Sequence, residues 1–163
     1  MQQQGKSILF MLEANPGPGA GLLVAYMFFG PRSLRPTVPA ALIIQFFGGI
    51  HEIYFPYVLM RPKTILATIA GGASGIAVFQ AFDVGLTGPA APGSFIAFMS
   101  VTARGDYIGV VLGILVSAVV SFMVTGALFR FGRGIDDASG MTDIDLTKAE
   151  ESVAATKAAG KVG

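Results

Sequence analysis

The chain contains no cysteine and a single histidine among its 163 residues. The absence of cysteine excludes a disulfide framework, a thiolate nucleophile and a cysteine metal site. One histidine argues against a histidine-based metal site, because such sites usually combine several ligands of this kind. We therefore expect neither a metal nor a cofactor. Charged residues are also scarce, at 13% of the chain, whereas an average soluble domain carries about 25%.

What the chain has in abundance is apolar and helix-breaking residues. Hydrophobic residues make up 53%, the mean hydropathy is +0.67, and there are 22 glycines and 9 prolines. This combination is typical of membrane helices with close contacts and breaks. We predict an all-α integral membrane protein, a multi-span helical bundle with broken or re-entrant segments, followed by a polar tail. The scattered basic residues do not indicate nucleic-acid binding.

Charge divides the chain into two parts. Residues 1–133 hold eight basic and four acidic residues, whereas residues 134–163 hold three basic and six acidic residues. We therefore predict a membrane domain over 1–133 and a polar tail or linker over 134–163. Because Arg130 and Arg133 directly follow an apolar run, the positive-inside tendency predicts a cytoplasmic C-terminus.

Three apolar segments are long enough to cross a membrane, which takes about 20 residues. They are residues 38–60, 64–82 and 107–129, and the last is 23 uncharged residues long. Gly48, Gly49 and Pro56 predict a break or kink within the first of them.

Two further apolar regions, residues 8–29 and 86–101, contain helix-breaking prolines and glycines. Residues 13–19 contain two prolines and two glycines between the apolar runs 8–12 and 20–29, so we predict a turn there and a broken or re-entrant element. Residues 86–94 are predicted to form a loop or re-entrant tip, from which the apolar limb 95–101 returns.

His51 and Glu52 stand side by side between the charge-free runs 38–50 and 53–60. A charge at membrane depth costs about 3 kcal/mol on insertion scales, so such a residue usually faces a cavity and acts there. The alternative is a packed, satisfied core pair. Glu52 could accept hydrogen bonds from several hydroxyls of a ligand or act as a base. His51 could donate to a ligand, orient Glu52, or bond to a backbone carbonyl.

Glu13 and Asn15 form a second polar focus beside the prolines and glycines of residues 16–19. Unwound backbone in a membrane protein tends to line a substrate site, because its free amide groups need partners. An ordinary interfacial loop with a surface acid is the alternative.

Residues 49–52, with the sequence GIHE, resemble the glycine-isoleucine-x-glutamate signature of the enzyme IIC subunits of the bacterial phosphotransferase system (PTS). The longer segments 45–60, 13–19 and 89–94, and more loosely 104–107, are similar to the mannitol-specific members of that family. The resemblance runs from about residue 4 to residue 129.

The resemblance implies a multi-pass permease of the bacterial inner membrane and a homodimer. Such proteins move a hexitol across the membrane while it is phosphorylated on the cytoplasmic side. The phosphate passes from a IIA histidine to a IIB cysteine and then to the sugar. The resemblance also implies that Glu52 binds sugar hydroxyls and assists transfer, and that Glu13 belongs to the substrate site. We add His51 and Asn15 to the expected substrate-binding residues.

This sequence departs from the family pattern in two ways. It resembles only the second half of an enzyme IIC membrane domain, so we expect a partner that supplies the first half. Because it has no cysteine, it has no IIB phosphoryl-donor site, and no catalytic residue is expected beyond Glu52 as an assisting base. Whether the chain is part of an enzyme is therefore open. Two other functions stay open, an inactive permease fragment and a proton-coupled transporter, as does mannitol against glucitol.

Overall fold

The structure, a computed structural model, describes residues 7–136, with side chains up to residue 131. The predicted tail therefore lies outside the described residues from position 137 onward. The described residues are mostly helical, and β structure among them is limited to two isolated bridges that join Leu86 to Ser7 and to Thr102. The helices are α1 Leu9–Ala14, α2 Gly17–Phe29, α3 Val38–Phe46, α4 Phe55–Met60, α5 Ile65–Ala81, α6 Phe95–Ser100 and α7 Tyr107–Asp136.

The break between α1 and α2 is shorter than the sequence predicts. We expected a turn over residues 13–19, but α1 continues to Ala14 and α2 already begins at Gly17. Pro18 is tolerated because it lies in the first turn of α2, where a helix has no partner for a backbone N–H. The side-chain Oδ1 of Asn15 accepts a hydrogen bond of 3.0 Å from the N–H of Gly17 and so starts the second helix.

The predicted span over residues 38–60 is interrupted, as Gly48, Gly49 and Pro56 predict. It is divided into α3, a 3-10 turn over His51–Tyr54, and α4. The division begins at Gly49, whose φ of +74° is a conformation that side-chain-bearing residues rarely adopt. The predicted break beside His51 is therefore present.

The other two predicted spans each form one continuous helix. By length and composition, Pro62–Ala81 and Tyr107–Phe131 are each apolar enough to cross a membrane, with mean hydropathies of 1.5 and 2.5. The predicted loop over residues 86–94 and its returning limb also match the structure, because α6 begins directly after Ser94. The Oγ of Ser94 caps this helix by accepting a hydrogen bond of 3.1 Å from the N–H of Ala97.

Helices α2, α5 and α7 meet along a seam of small residues. A Cβ added at Gly21 would overlap the carbonyl oxygen of Ala118, and one added at Gly71 would lie 2.7 Å from that of Ser117. Such close approaches are possible only because glycine has no side chain, which is how small residues bring membrane helices together. We call this contact the seam; its members are Gly17, Gly21, Gly71, Gly75, Gly113, Ser117, Ala118 and Ser121.

The main apolar cluster lies next to the break between α1 and α2. Phe79 and Phe98 are fully buried at its centre, with ring centroids 6.2 Å apart. Ala14 and Ala90 belong to this cluster and also line the cavity described below. The cluster therefore supports the wall of that cavity. Its buried members are Met11, Ala14, Phe79, Val84, Leu86, Ala90, Phe98, Val110 and Ile114.

Candidate functional site

A cavity of about 340 Å³ opens where three segments meet. Its volume falls in the range of about 300–1,000 Å³ that is usual for small-molecule sites. The segments are the end of α1, the residues around the 3-10 turn that follows α3, and the loop before α6. The lining residues are Phe10, Glu13, Ala14, Gly49, His51, Glu52, Pro89, Ala90, Ala91, Pro92 and Gly93.

A second cavity of about 220 Å³ shares Glu13 and His51 with the first. Its other walls come from the start of α2, from Tyr54 and from α5. These two residues thus stand between the two spaces. The lining residues are Leu12, Glu13, Asn15, Pro18, Gly19, His51, Tyr54, Thr68, Ile69, Gly72 and Ile76.

Two loops meet at what we call the rim, formed by Gly49, His51, Gly93 and Ser94. A Cβ added at Gly49 would lie 2.6 Å from the backbone nitrogen of Ser94, so glycine is required for both its space and its φ. The Nε2 of His51 lies 2.9 Å from the carbonyl oxygen of Gly93. Because a carbonyl only accepts, His51 donates this bond, and its Nε2 carries a proton. Of the three interpretations of His51, the structure shows the bond to a backbone carbonyl.

Glu13 and Glu52 bring two carboxylates to the larger cavity. Both side chains are exposed, and within residues 7–131 neither accepts a hydrogen bond nor forms an ion pair. An ionised carboxylate offers about four acceptor positions and no donor. The cavity can therefore receive several hydroxyl donors of a ligand, while its proline and alanine walls offer apolar contact.

Asn15 differs from the other predicted site residues because its side chain is already bonded. Only 8% of the residue is exposed. Its Oδ1 accepts from Gly17, and its Nδ2 donates a 3.3 Å hydrogen bond to the Oγ of Ser117 on α7. It lines the smaller cavity, whereas the other three predicted residues line the larger one.

The sequence analysis did not include the loop over residues 89–93 among the site residues. This loop forms nearly half of the lining of the larger cavity, mainly through small side chains and backbone. Its similarity to the family over residues 89–94 was the one available signal, because nothing in its composition marks it as functional.

Relatives among known proteins match the sequence over nearly the whole chain. The chain is 54% identical over 155 residues to the PTS system mannitol-specific EIICB component of Bacillus subtilis (strain 168), covering 95% of this chain and 31% of that protein. It is 50% identical over 149 residues to the same component of Geobacillus stearothermophilus, covering 91% and 30%. The chain is therefore a homologue of the PTS mannitol-specific EIICB components. An EIICBA component of Vibrio cholerae is 52% identical over 128 residues, covering 78% and 20%.

The kinship to PTS mannitol components confirms the resemblance seen in residues 13–19, 45–60 and 89–94. The chain spans about 30% of the length of the EIICB relatives. No family model matches the chain. No solved structure matches it either.

Proposed function

We propose that this chain provides the sugar-binding part of a PTS permease that carries mannitol across the bacterial inner membrane. The observation that carries the proposal is the cavity in which Glu13, His51 and Glu52 meet the loop 89–93. The kinship to mannitol-specific components supports the choice of ligand. The transport of mannitol is coupled to its phosphorylation by separate IIB and IIA domains.

A hexitol suits the chemistry of the cavity. Each of its carbons carries a hydroxyl donor, and the carboxylates of Glu13 and Glu52 accept such bonds with the extra strength of a charged acceptor. The C–H faces of the sugar pack against the proline and alanine residues of the loop wall. Glu52 also serves as the assisting base that takes the proton of the sugar hydroxyl as this hydroxyl attacks the phosphoryl group of IIB, whose bond to the IIB cysteine breaks so that the thiolate leaves.

The surface of the two long helices supports a membrane location. Ile69 on α5 is 61% exposed, and Ile108 and Val119 on α7 are 74% and 53% exposed. Isolated apolar side chains are common on soluble proteins, but on these helices they accompany lengths sufficient to span the hydrocarbon core. We propose that both helices cross the inner membrane as part of a multi-pass domain. We also propose that the C-terminus lies in the cytoplasm, because Arg130 and Arg133 follow the apolar run of α7.

The assembly that performs transport is larger than this chain. We propose that it contains the first half of an enzyme IIC domain, a second copy of the assembled unit, and phosphorylated IIB and IIA. The length of the relatives supports the further domains, since the chain covers only 31% of the Bacillus protein, whereas the second copy rests on the resemblance to the family.

The test is binding of radiolabelled mannitol to membranes that contain the chain, alone and co-expressed with the first half of an EIIC domain. Glu52→Gln and Glu13→Gln are each expected to weaken binding by about 1–3 kcal/mol, or roughly 5- to 150-fold, through loss of charge-assisted bonds. Asp83→Asn is the matched control. Asp83 is an exposed acid outside both cavities, and asparagine tolerates its φ of 48°.

Each outcome separates the open functions. Unchanged binding in Glu52→Gln would show that Glu52 is not a ligand group. No binding in either format, from protein shown to be inserted, would favour the inactive fragment. Mannitol uptake that follows a proton gradient in the absence of IIB would favour the proton-coupled transporter.

A further inference from the structure

The break between α1 and α2 is held by side chains from two other helices. The Nε2 of Gln45 on α3 donates a 3.0 Å hydrogen bond to the carbonyl oxygen of Pro16. The Oγ of Ser121 on α7 donates one of 2.7 Å to the carbonyl oxygen of Pro18. Both side chains are fully buried. The carbonyl of Pro16 also accepts a 3.2 Å hydrogen bond from the N–H of Ala20, so the bond from Gln45 uses a second acceptor position of that oxygen and ties the break to another helix.

A third contact holds the residue between the two helices. Ser117, one turn before Ser121 on α7, accepts the hydrogen bond from Asn15 and is also fully buried. A Cβ added at Gly75 would lie 2.8 Å from the Nδ2 of Asn15 and 2.9 Å from the Cβ of Ser117. The seam therefore encloses the Asn15 amide so closely that it has little freedom to turn away.

Glu13 lies two residues before Asn15, at the end of α1, and lines both cavities. Its own carboxylate has no hydrogen-bond partner among residues 7–131. Its position is thus set by the backbone that carries it. We infer that Gln45, Ser117 and Ser121 are positioning residues, which clamp the break so that Glu13 faces the cavity. The inference rests on the proposed function for the role of Glu13 in binding.

Loss of one of these bonds removes a tie between the break and another helix. In Ser121→Ala, the carbonyl of Pro18 loses this partner at a site where Ser121 itself is 0% exposed. The start of α2 is then no longer tied to α7 at this point, so the break is expected to shift. Residue 13 moves with it, although the substitution lies on a different helix.

A thiol probe tests the clamp without any sugar. Because the chain has no cysteine, Glu13→Cys in the full chain in membranes provides a single thiol beside both cavities. Ser121→Ala is expected to change the rate at which a small, charged maleimide modifies this introduced thiol by at least about fivefold, as loss of one buried hydrogen bond would. Gln45→Met removes the other donor at similar size and serves as the second variant if Ser121→Ala fails to insert.

Ser74→Ala is the matched control for the thiol experiment. The Oγ of Ser74 also donates a 2.8 Å hydrogen bond to a carbonyl, but that carbonyl belongs to Gly71 in the same helix, α5. With Ser74→Ala, the modification rate of the introduced thiol should therefore stay within about twofold of the starting value. The clamp is overturned if neither Ser121→Ala nor Gln45→Met changes the rate, or if Ser74→Ala changes it equally.

A double-mutant cycle on mannitol binding separates positioning from general packing. If Ser121 acts through Glu13, Ser121→Ala weakens binding about fivefold in the native chain but less than about twofold in Glu13→Gln. Additive losses would overturn the positioning role. If Glu13→Gln alone leaves binding unchanged, the proposed function of Glu13 is wrong, while the thiol result still decides whether the clamp exists.

Discussion

In the seam, the absence of side chains at the glycines allows three helices to come into contact. At the rim, glycine allows two loops to meet beside a cavity of about 340 Å³. The clearance at both places is similarly small. A Cβ would lie 2.7 Å from its nearest neighbour at Gly71 and 2.6 Å at Gly49. The difference lies in the backbone, because Gly71 is helical and Gly49 has a φ of +74°.

We expect substitutions in the seam to affect the stability of the fold, and substitutions at the rim to affect ligand binding. Substitution in the seam forces apart the three longest helices of the described residues, so its cost falls on folding. Substitution at the rim disturbs a contact between two loops that few other residues share, so its cost falls on the shape of the cavity. The same residue type therefore serves two purposes, and its neighbours decide which.

The largest expected effect is in the seam and compares adjacent residues of α5. Gly71→Ala places a Cβ 2.7 Å from the Ser117 carbonyl and 2.8 Å from the Ser121 Cβ, whereas the nearest atom to a Cβ at Gly72 is 3.9 Å away, in Pro18. Overpacking is expected to destabilise Gly71→Ala by about 1–3 kcal/mol. Gly72→Ala should be neutral or stabilising by up to about 1 kcal/mol, because alanine favours the helix.

The midpoint of thermal unfolding in detergent measures both α5 variants. Equal midpoints for Gly71→Ala and Gly72→Ala would show that the seam has room to relax, and the comparison with the rim would then fail.

The next effect is at the rim and separates strain from contact. Gly49→Ala combines an unfavourable φ with a Cβ 2.6 Å from the nitrogen of Ser94, whereas Gly105 has a φ of +100° and nothing within 4 Å of an added Cβ. A side chain at positive φ costs about 1–2 kcal/mol by itself. We expect Gly49→Ala to weaken mannitol binding by about tenfold or more and Gly105→Ala to leave it unchanged.

Equilibrium binding to membranes, with protein amount matched by immunoblot, measures the two rim variants. A similar loss of affinity in Gly105→Ala would mean that backbone strain, rather than the contact between loops, sets the shape of the cavity.

The sequence predicts the long helices because their signal is local. Residues 64–82 and 107–129 are free of charge and long enough to span, and the structure has α5 and α7 there. The break in the segment 38–60 is also signalled locally, by Gly48, Gly49 and Pro56, but the contact of Gly49 with the backbone around Ser94 is not. That contact joins positions far apart in the chain, so apolar periodicity carries no trace of it.

In the candidate site, too, local features could be predicted from the sequence and contacts between distant residues could not. The sequence singled out Glu13, His51 and Glu52 as polar residues in apolar surroundings, and the structure places them at one cavity. Their part in binding stays a prediction. The bond from Asn15 to Ser117 spans 102 residues, and a serine within an apolar helix gives no sign of such a partner.

A smaller effect is expected for the hydrogen bond across the rim. His51→Phe keeps a ring but removes the donor to the Gly93 carbonyl, 2.9 Å away, and should weaken mannitol binding about 3- to 10-fold. His51→Gln can place an amide N–H near the position of Nε2 and should recover most of the loss. Titration of both variants with mannitol measures this. A loss in His51→Phe of more than about 100-fold, with no recovery in His51→Gln, would mean that His51 contacts the sugar itself.

The smallest effect is expected at a buried hydroxyl on α7 that makes no hydrogen bond among the described residues. Thr125 follows Ser117 and Ser121 at the same spacing of four residues, and it too is fully buried. Its Oγ1, however, has no hydrogen-bond partner among the described residues. Thr125→Val replaces that hydroxyl with a methyl group of similar size, so the midpoint of thermal unfolding should stay the same or rise by the equivalent of up to about 1 kcal/mol. Ser121→Ala should lower it. A lower midpoint in Thr125→Val would mean that the hydroxyl of Thr125 also has a hydrogen-bond partner. The row of hydrogen-bonding hydroxyls on α7 would then continue past Ser117 and Ser121, which hold the break between α1 and α2.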